Sequence, residues 1–369
     1  MPEQLSPELR ALAATAETFA RTELLPRRHL SAAEARLAII AASRAAGLFT
    51  MTQPRDFGGS AAGALALTVV RDSLAASNPP HQDAVFGPGP GVLAAVPEPL
   101  RSSHLLPLLA GTKRGGFGFT EPDDAPFPTR ARVDGDGLIV DGQKSYITGG
   151  AEADFINTLV QVEGQGPALL VIDTDQPGVA LTRRFSSIDG SHHAAFTFSN
   201  VRVPVTHLIG RPGEGMPRAM RQIGDVRLLI AAQCVGLMRW VIDHLTAHLQ
   251  AADRSGRPRG DKEGVRLRYA DLRIAAFASR SMLYRTARLA DQGENVVNEA
   301  IACKVHATET IGQLVDTAIQ LEGGHALTDD HPLSILYRQV RSLRLAEGGS
   351  DVLRLNLARG KLDLDKGRL

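Results

Sequence analysis

The chain lacks most of what marks an exported, membrane-spanning or nucleic-acid-binding protein. Its 369 residues include only two cysteines, Cys234 and Cys303, too few for a disulfide framework. Neither charge sign is in excess. Lys and Arg number 41 against 40 Asp and Glu, and the resulting +1 offers no field for nucleic acid or an anionic membrane. The opening MPEQLSPELRALAATAETFA has no basic start followed by an apolar core, so no export signal is expected. The most apolar stretch, LLIAAQCVGLMRWVIDHL, is interrupted by Arg239 and Asp243 before it reaches the roughly 20 residues that span a bilayer. No GxGxxG opens a strand–helix unit, and GPGPG at 87–91 has no following Lys-Ser/Thr, so neither a Rossmann nor a phosphate-loop site is expected. No period suggests repeats. These absences lead to the expectation of a soluble, cytoplasmic globular protein.

What is present falls into two periodicities. SPELRALAATAETFARTEL puts Leu9, Leu12, Ala13, Ala16, Phe19 and Ala20 at helical spacing behind Ser6 and Pro7. SAAEARLAIIAASRAAGL repeats the pattern, with Ser31 as N-cap, Glu34 three residues on and Gly47 as a stop. AGALALTVVRDSLAAS and a segment near 97–111 complete the first run. From about Gly115 the period shortens. TRARVDGDGLIVDGQKSYIT carries Asp-Gly turns, and DFINTLVQVEGQGPALLVIDT, VALTRRF and HHAAFTFSNVRVPV alternate in the same way. After GRPGEGMP the helical period returns, from Arg218 to about Ala251, near 264–292, through VNEAIACKVHATETIGQLVDTAIQLEG, and over about 332–345, with a short helix after Ser350. The fold class expected is α+β, with an N-terminal helical domain (1–112), a middle antiparallel β-barrel or sandwich (113–214) and a C-terminal four-helix bundle (215–369).

Few side chains suggest chemistry directly. His244 and His248 are spaced i, i+4, yet HLTAH lacks the glutamate of a zinc-protease helix and offers no third ligand, so no metal is expected. His192 and His193 are adjacent on a strand and must face opposite sides. RSGRPRGDK reads as a solvated connector. GFGFTEPDD ends a small-and-aromatic strand in Thr120-Glu121-Pro122, where proline fixes a turn whose amides can face a ligand. GQKSYITGG sets Tyr146 and the Thr148 hydroxyl on one strand face, an arrangement suited to a planar heterocycle. RLAEGGSDVLR places Glu347 on a glycine turn, where a carboxylate can be aimed into a cleft or simply be solvated.

Taken in order, these pieces resemble the acyl-CoA dehydrogenase family of flavoproteins. The resemblance runs from FARTELLP and PRDFGGS through FTEP, VDGQKSYITGG and FSNVRVPVTHLIG. It continues in RLLIAAQCVG, AIQLEGG, LYRQVR and AEGGSDVLRLNLAR, nearly the whole chain. It implies an N-terminal helical domain, a β-barrel and a four-helix bundle, with FAD bound by the last two. Phe117, Phe119 and Thr120 would line the flavin, and Tyr146 and Thr148 would sit against its ring, with the Thr148 hydroxyl near N5. Gln320, Gly323 and Gly324 would contact FAD from a neighbouring subunit, which implies a homodimer or homotetramer. Glu347 would be the base that removes the α-proton of an acyl thioester, its own N–H meeting the thioester oxygen, while the β-hydrogen leaves as hydride. The alternative place for a base, before an arginine on the first bundle helix, holds Val226 ahead of Arg227. Arg227 and Gly348 would meet substrate, and electrons would pass to an electron-transfer flavoprotein.

The sequence also departs from the family pattern. DDAPFP replaces the usual Gly/Ala-Gly-Ser-Asp run, and Pro126 can supply neither hydroxyl nor amide hydrogen. Ala252 and Ser255 stand where an arginine and a phenylalanine are usual, leaving Arg254 as a substitute partner for FAD. Gly349 replaces the threonine after the catalytic Glu-Gly. Two readings follow: a dehydrogenase acting on acyl-CoA or a carrier-protein thioester, and a flavin-poor structural subunit of a hetero-oligomer. An oxidase on the same scaffold is a third, although a glutamate base leans away from the nitroalkane-oxidising branch, which uses aspartate.

Overall fold

Polar caps start the first helices. In the computed structural model, which describes residues 4–368 apart from the side chain of Asp225, helix α1 (Pro7–Phe19) opens with Ser6 Oγ accepting the Leu9 N–H at 3.3 Å. Helix α2 (Ala32–Ala45) opens with a complete capping box: Ser31 Oγ accepts from Glu34 N, and Glu34 Oε2 accepts from Ser31 N at 2.8 Å. Ser31→Ala is expected to cost about 1 kcal/mol, read as faster amide exchange over residues 32–45. Helices α3 (Ala64–Ala75) and α4 (Leu106–Ala110) follow.

Eight strands come next: β1 (Gly115–Gly118), β2 (Arg130–Asp134), β3 (Gly137–Thr148), β4 (Phe155–Val162), β5 (Gly166–Asp173), β6 (Val179–Ser186), β7 (His192–Pro204) and β8 (Leu208–Ile209). The Asp-Gly hairpin forms as expected, with Asp134 opposite Gly137, and β4 turns into β5 with Val162 opposite Gly166. The antiparallel-barrel expectation is corrected in two respects. Strands β1 and β2 take successive parts of one edge of β4, and both run parallel to it. The pairing order β6-β7-β3-β2-β4-β5-β8 also stays open. Parallel neighbours need a long crossover, here the β2–β3 hairpin itself, and hairpin signals alone cannot report such a partner. Leu138, Val140, Ile147, Ile156, Leu170, Phe196 and Val203 fill one side of the sheet. Phe155, Leu159, Leu169 and Val171 project to the other side, against Leu100, Leu105 and Leu109, so β4 and β5 are covered on both faces.

The remaining helices are α5 (Gly215–Gln250), α6 (Glu263–Asp291), α7 (Val297–Glu322), α8 (Pro332–Leu343) and α9 (Ser350–Leu362). Three are long and two are short, where four long helices and one short were expected. Helix α5 is long and apolar enough to cross a membrane by length and composition. Its apolar positions Val235, Met238, Val241 and Leu245 are nevertheless buried in a core shared with Leu283 of α6, Leu314 of α7 and Leu336 of α8. Val69 and Ala75 of α3 belong to that same core.

Internal contacts divide the chain into two compact units. One comprises the chain up to Thr52, Ser60–Phe86 and the chain from Gly224; the other comprises Gln53–Gly59 and Gly87–Ile223. Within the helical unit Asp72 is fully buried and meets Arg239 at 3.0 Å, Arg280 at 3.0 Å and the Tyr284 hydroxyl at 2.7 Å. This network ties α3 to α5 and α6, and two arginines offset the cost of burying the carboxylate.

Candidate active site

In the sheet unit, chemistry gathers where β3 breaks its ladder. Pairing with β7 slips between Lys144 and Ile147, and within this bulge Tyr146 adopts φ +53°. A non-glycine residue in the left-handed region costs about 1–3 kcal/mol and persists where surroundings impose it, often at functional sites. The bulge turns Ile147 into the core and leaves Tyr146 63% exposed with Thr148 beside it. The Tyr146 ring meets Phe185 edge-on at 5.1 Å and lies 6.0 Å from His193. Thr148 Oγ1 is 3.3 Å from His193 Nδ1. The result is an exposed, flat aromatic patch with one hydroxyl at its side, which fits a planar heteroaromatic ring such as a flavin.

Phe117 and Phe119 stack at 6.1 Å, half-buried against the Phe155 and Leu159 cluster, and Thr120 is exposed at the strand's end. Strand β1 can lie this close because it carries glycine: a Cβ on Gly116 would sit 2.8 Å from Ile147 Cγ2. The Thr120-Glu121-Pro122 turn is pinned from below. Buried Lys144 donates to Glu121 Oε1 at 2.8 Å and to Phe119 O at 3.2 Å, and the Thr129 N–H donates to the same Glu121 oxygen. Burial alone would raise Glu121, but the bonds from Lys144 and Thr129 hold it below the ordinary carboxylate range.

In the helical unit, the turn between α8 and α9 carries Glu347. Its backbone is also left-handed, φ +54°, and Gly348 follows at +107°, a value that favours glycine. Two cations hold the carbonyls of this turn. Arg227 Nε donates to Glu347 O at 3.1 Å, and Lys304 Nζ donates to Gly348 O at 2.8 Å and Arg344 O at 3.0 Å. Among the described residues the Glu347 carboxylate has no ion-pair partner within 4.0 Å and its N–H has no acceptor. Burial raises the Glu347 pKa, outweighing the lowering by Arg227 and Lys304. Burial likewise brings the Lys304 ammonium down to about 8. Among the described residues the turn thus offers an unpaired carboxylate and an unpaired N–H on a backbone whose carbonyls are held by two cations.

The other expected residues occupy varied settings. Gly349 caps α9. Gln320, Gly323 and Gly324 are exposed at the end of α7, and Gly323 terminates the helix with φ +86°. Arg254 is exposed in a loop closed by pairing of Ala252 with Pro258, and among the described residues it makes no ion pair. Arg227, expected to meet substrate, is only 8% exposed and spends its Nε on the Glu347 carbonyl. Lys304 is absent from the sequence reading, and His193 enters it only as half of an adjacent pair that faces opposite sides, with no partner named.

His244 finds partners that spacing could not reveal. Glu322, at the last position of α7, lies 2.8 Å from His244 Nε2 and 3.4 Å from His331 Nε2, and the three ligand atoms fall within 4.8 Å of one another. However, His331 Nδ1 accepts the Leu333 N–H at 3.2 Å. A neutral ring therefore carries its proton on Nε2, the nitrogen nearest Glu322, whereas a cation there would need that nitrogen bare. The trio is a close cluster of two imidazoles around one carboxylate, and despite their 2.8 Å separation neither His244 Nε2 nor Glu322 Oε1 has a hydrogen-bond partner among the described residues.

Comparison with known proteins follows this geometry. Residues 6–94 match the family model "Acyl-CoA dehydrogenase, N-terminal domain" and residues 213–362 match "Acyl-CoA dehydrogenase, C-terminal domain". A "Probable acyl-CoA dehydrogenase" of Bacillus subtilis is 27% identical over 332 residues, covering 85% of this chain and 86% of its own. A "3-(aryl)acrylate reductase" of Clostridium sporogenes is 25% identical over 328 residues, with 85% and 86% covered. The solved structure of a "probable acyl CoA dehydrogenase" from Mycobacterium abscessus superposes with TM-score 0.80 at 28% identity, covering 96% of this chain and 98% of that one.

Proposed function

The chain belongs to the acyl-CoA dehydrogenase family, and on that premise we propose that it desaturates an acyl-CoA thioester at the α,β position, with FAD as cofactor and Glu347 as base. The observation that carries this reading is the turn at 344–350, where a carboxylate raised by burial and an N–H lacking an acceptor among the described residues share one residue. The experiment that tests it is anaerobic bleaching of the bound flavin by a panel of acyl thioesters. Bleaching by none of them would overturn it.

FAD supplies the hydride acceptor when bound. Tyr146 and Thr148 are assigned to its ring, with Phe117, Phe119 and Thr120 lining it and Gly349 beside the turn. Gln320, Gly323, Gly324 and Arg254 are assigned to the FAD of a neighbouring subunit. A thioester α-hydrogen is a weak acid, and a fully hydrated carboxylate removes it poorly. Desolvation makes Glu347 a stronger base, and its N–H is a preorganised donor for charge developing on the thioester oxygen. Gly348 is assigned to substrate through its backbone beside the base, while Arg227 acts as a positioning residue through Glu347 O.

A pH dependence follows with a definite sign. The base works only when ionised, so kcat/KM falls as pH drops through the raised pKa of Glu347. The acid limb therefore lies above the ordinary glutamate value of about 4.3. Arg227 lowers that pKa, so Arg227→Met moves the limb to higher pH and Arg227→Lys holds it nearer the wild-type position. The pH profile of kcat/KM with one thioester reads both variants.

The finer architecture and assembly belong to the same proposal. The family matches end at 94 and resume at 213, which supports the division 1–112, 113–214 and 215–369, with α5, α6, α7 and α8 as the four-helix bundle. Helix α6 exposes Leu267, Ile274 and Phe277 at 62%, 66% and 62%, a stripe suited to burial in a homodimer or homotetramer. An electron-transfer flavoprotein is the proposed electron acceptor, and the cytoplasm is the proposed location. A second reading is favoured by Pro126, Ala252 and Ser255, which weaken the FAD contacts and would suit a structural subunit paired with a homologous chain. Colourless protein that gains FAD only with a second chain would establish that reading.

A further inference from the structure

Behind Thr148 lies a line of polar groups whose proton positions can be worked out one by one. Ser191 Oγ lies 2.6 Å from Asp189 Oδ1, and a carboxylate only accepts, so the single Ser191 hydroxyl hydrogen goes there. Ser191 Oγ is also 3.0 Å from His193 Nε2. Having no hydrogen left to give, it must accept, so Nε2 carries the proton of a neutral His193. The other ring nitrogen, Nδ1, is then a bare lone pair 3.3 Å from Thr148 Oγ1, and Thr148 must donate to it. Protonating His193 reverses that last bond: both ring nitrogens become donors, Thr148 Oγ1 accepts, and its hydrogen is released to point elsewhere.

We propose that His193 is a positioning residue that sets whether the Thr148 hydroxyl presents a lone pair or a hydrogen to the ring nitrogen of a flavin lying on the Tyr146 face. The proposal rests on the flavin assignment made above. A neutral His193 leaves Thr148 offering only lone pairs, matched to a ring nitrogen that bears hydrogen, as in reduced flavin. A cationic His193 frees the Thr148 hydrogen, matched to a ring nitrogen with a lone pair, as in oxidised flavin. His193 therefore couples the relative binding of the two redox forms to pH, by about two- to tenfold, the worth of one hydrogen bond. Its charged and titratable neighbours are Asp189 behind Ser191, Tyr146 on β3, and Arg183, which lies 5.0 Å over the Phe185 ring on β6. On β7 itself His192 is turned away, with Nδ1 3.0 Å from Ser186 Oγ.

Two measurements on the purified full-length chain test this. Nitrogen-15 NMR of labelled histidines, with His193→Asn for assignment, should find His193 in the Nε2–H form when neutral. The Nδ1–H form would overturn the relay whether or not flavin is bound. In FAD-loaded protein, midpoint potential against pH should show an inflection that disappears in His193→Asn, whose amide can still bond Thr148 but does not titrate. In a Thr148→Val background, His193→Asn should change nothing further. An inflection that survives His193→Asn, or equal His193 effects with and without the Thr148 hydroxyl, would overturn the proposal. Failure of the chain to hold FAD would instead remove the flavin assignment, while the tautomer measurement still decides the relay.

Discussion

Glu347→Gln is expected to retain FAD and to slow thioester bleaching of the flavin about a hundred- to ten-thousandfold, the range a general base contributes. Glutamine keeps the shape of the side chain and the backbone N–H, so the thioester oxygen keeps its donor. What disappears is the group that takes the α-proton, and that interaction exists only in the transition state. The loss should therefore fall on kcat with KM little changed. Stability should move the other way. The folded pKa of Glu347 is raised, so the ionised form, present at neutral pH, is disfavoured by folding. A neutral amide lifts that cost, and the variant should melt no lower than wild type. Stopped-flow bleaching under anaerobic conditions reads the rate and the visible spectrum reads the cofactor. An unchanged rate would remove Glu347 from the chemistry, and a variant without flavin would make it a structural residue.

The parts legible in the sequence are those whose causes are local. Ser31 and Glu34 form their capping box three residues apart, and the Asp134–Gly137 hairpin is written in its Asp-Gly turn. The pairing of Gly115 with Phe155 is not local, and neither is the open edge order that follows from it. At the site, Tyr146, Thr148 and Glu347 stand out as candidates from residue type and spacing, and only the family resemblance gives them roles. Left-handed backbone at a tyrosine or a glutamate leaves no trace in composition. His192 and His193 do turn to different partners, as adjacent strand residues must, but the partner of each lies on another strand. Lys304 is the clearest omission. In AIACKVHATE it reads as the polar face of a helix, yet it is fully buried and bonds only carbonyls, acceptors that every residue has and no sequence motif advertises.

That omission yields the second large effect. Lys304→Met is expected to lower turnover about a hundredfold, the scale of a displacement near 1 Å at a reacting group. Arg344 O keeps the Ser350 N–H at 3.1 Å when the ammonium is removed. Gly348 O has no second donor among the described residues, and an orphaned carbonyl costs about 1–3 kcal/mol. Against that, a lysine whose pKa is pulled to about 8 is itself costly to bury while charged, so a methionine filling the same channel recovers part of the loss. The net change in melting temperature should be small, while the turn, released on one side, lets Glu347 drift. Loss of the charge also removes one of the two influences that lower the Glu347 pKa, so the acid limb of kcat/KM should move to higher pH. A folded, flavin-loaded variant with slow bleaching and a shifted limb would identify Lys304 as the residue that aims the base. Wild-type rate and an unmoved limb would show that Arg227 alone holds the turn.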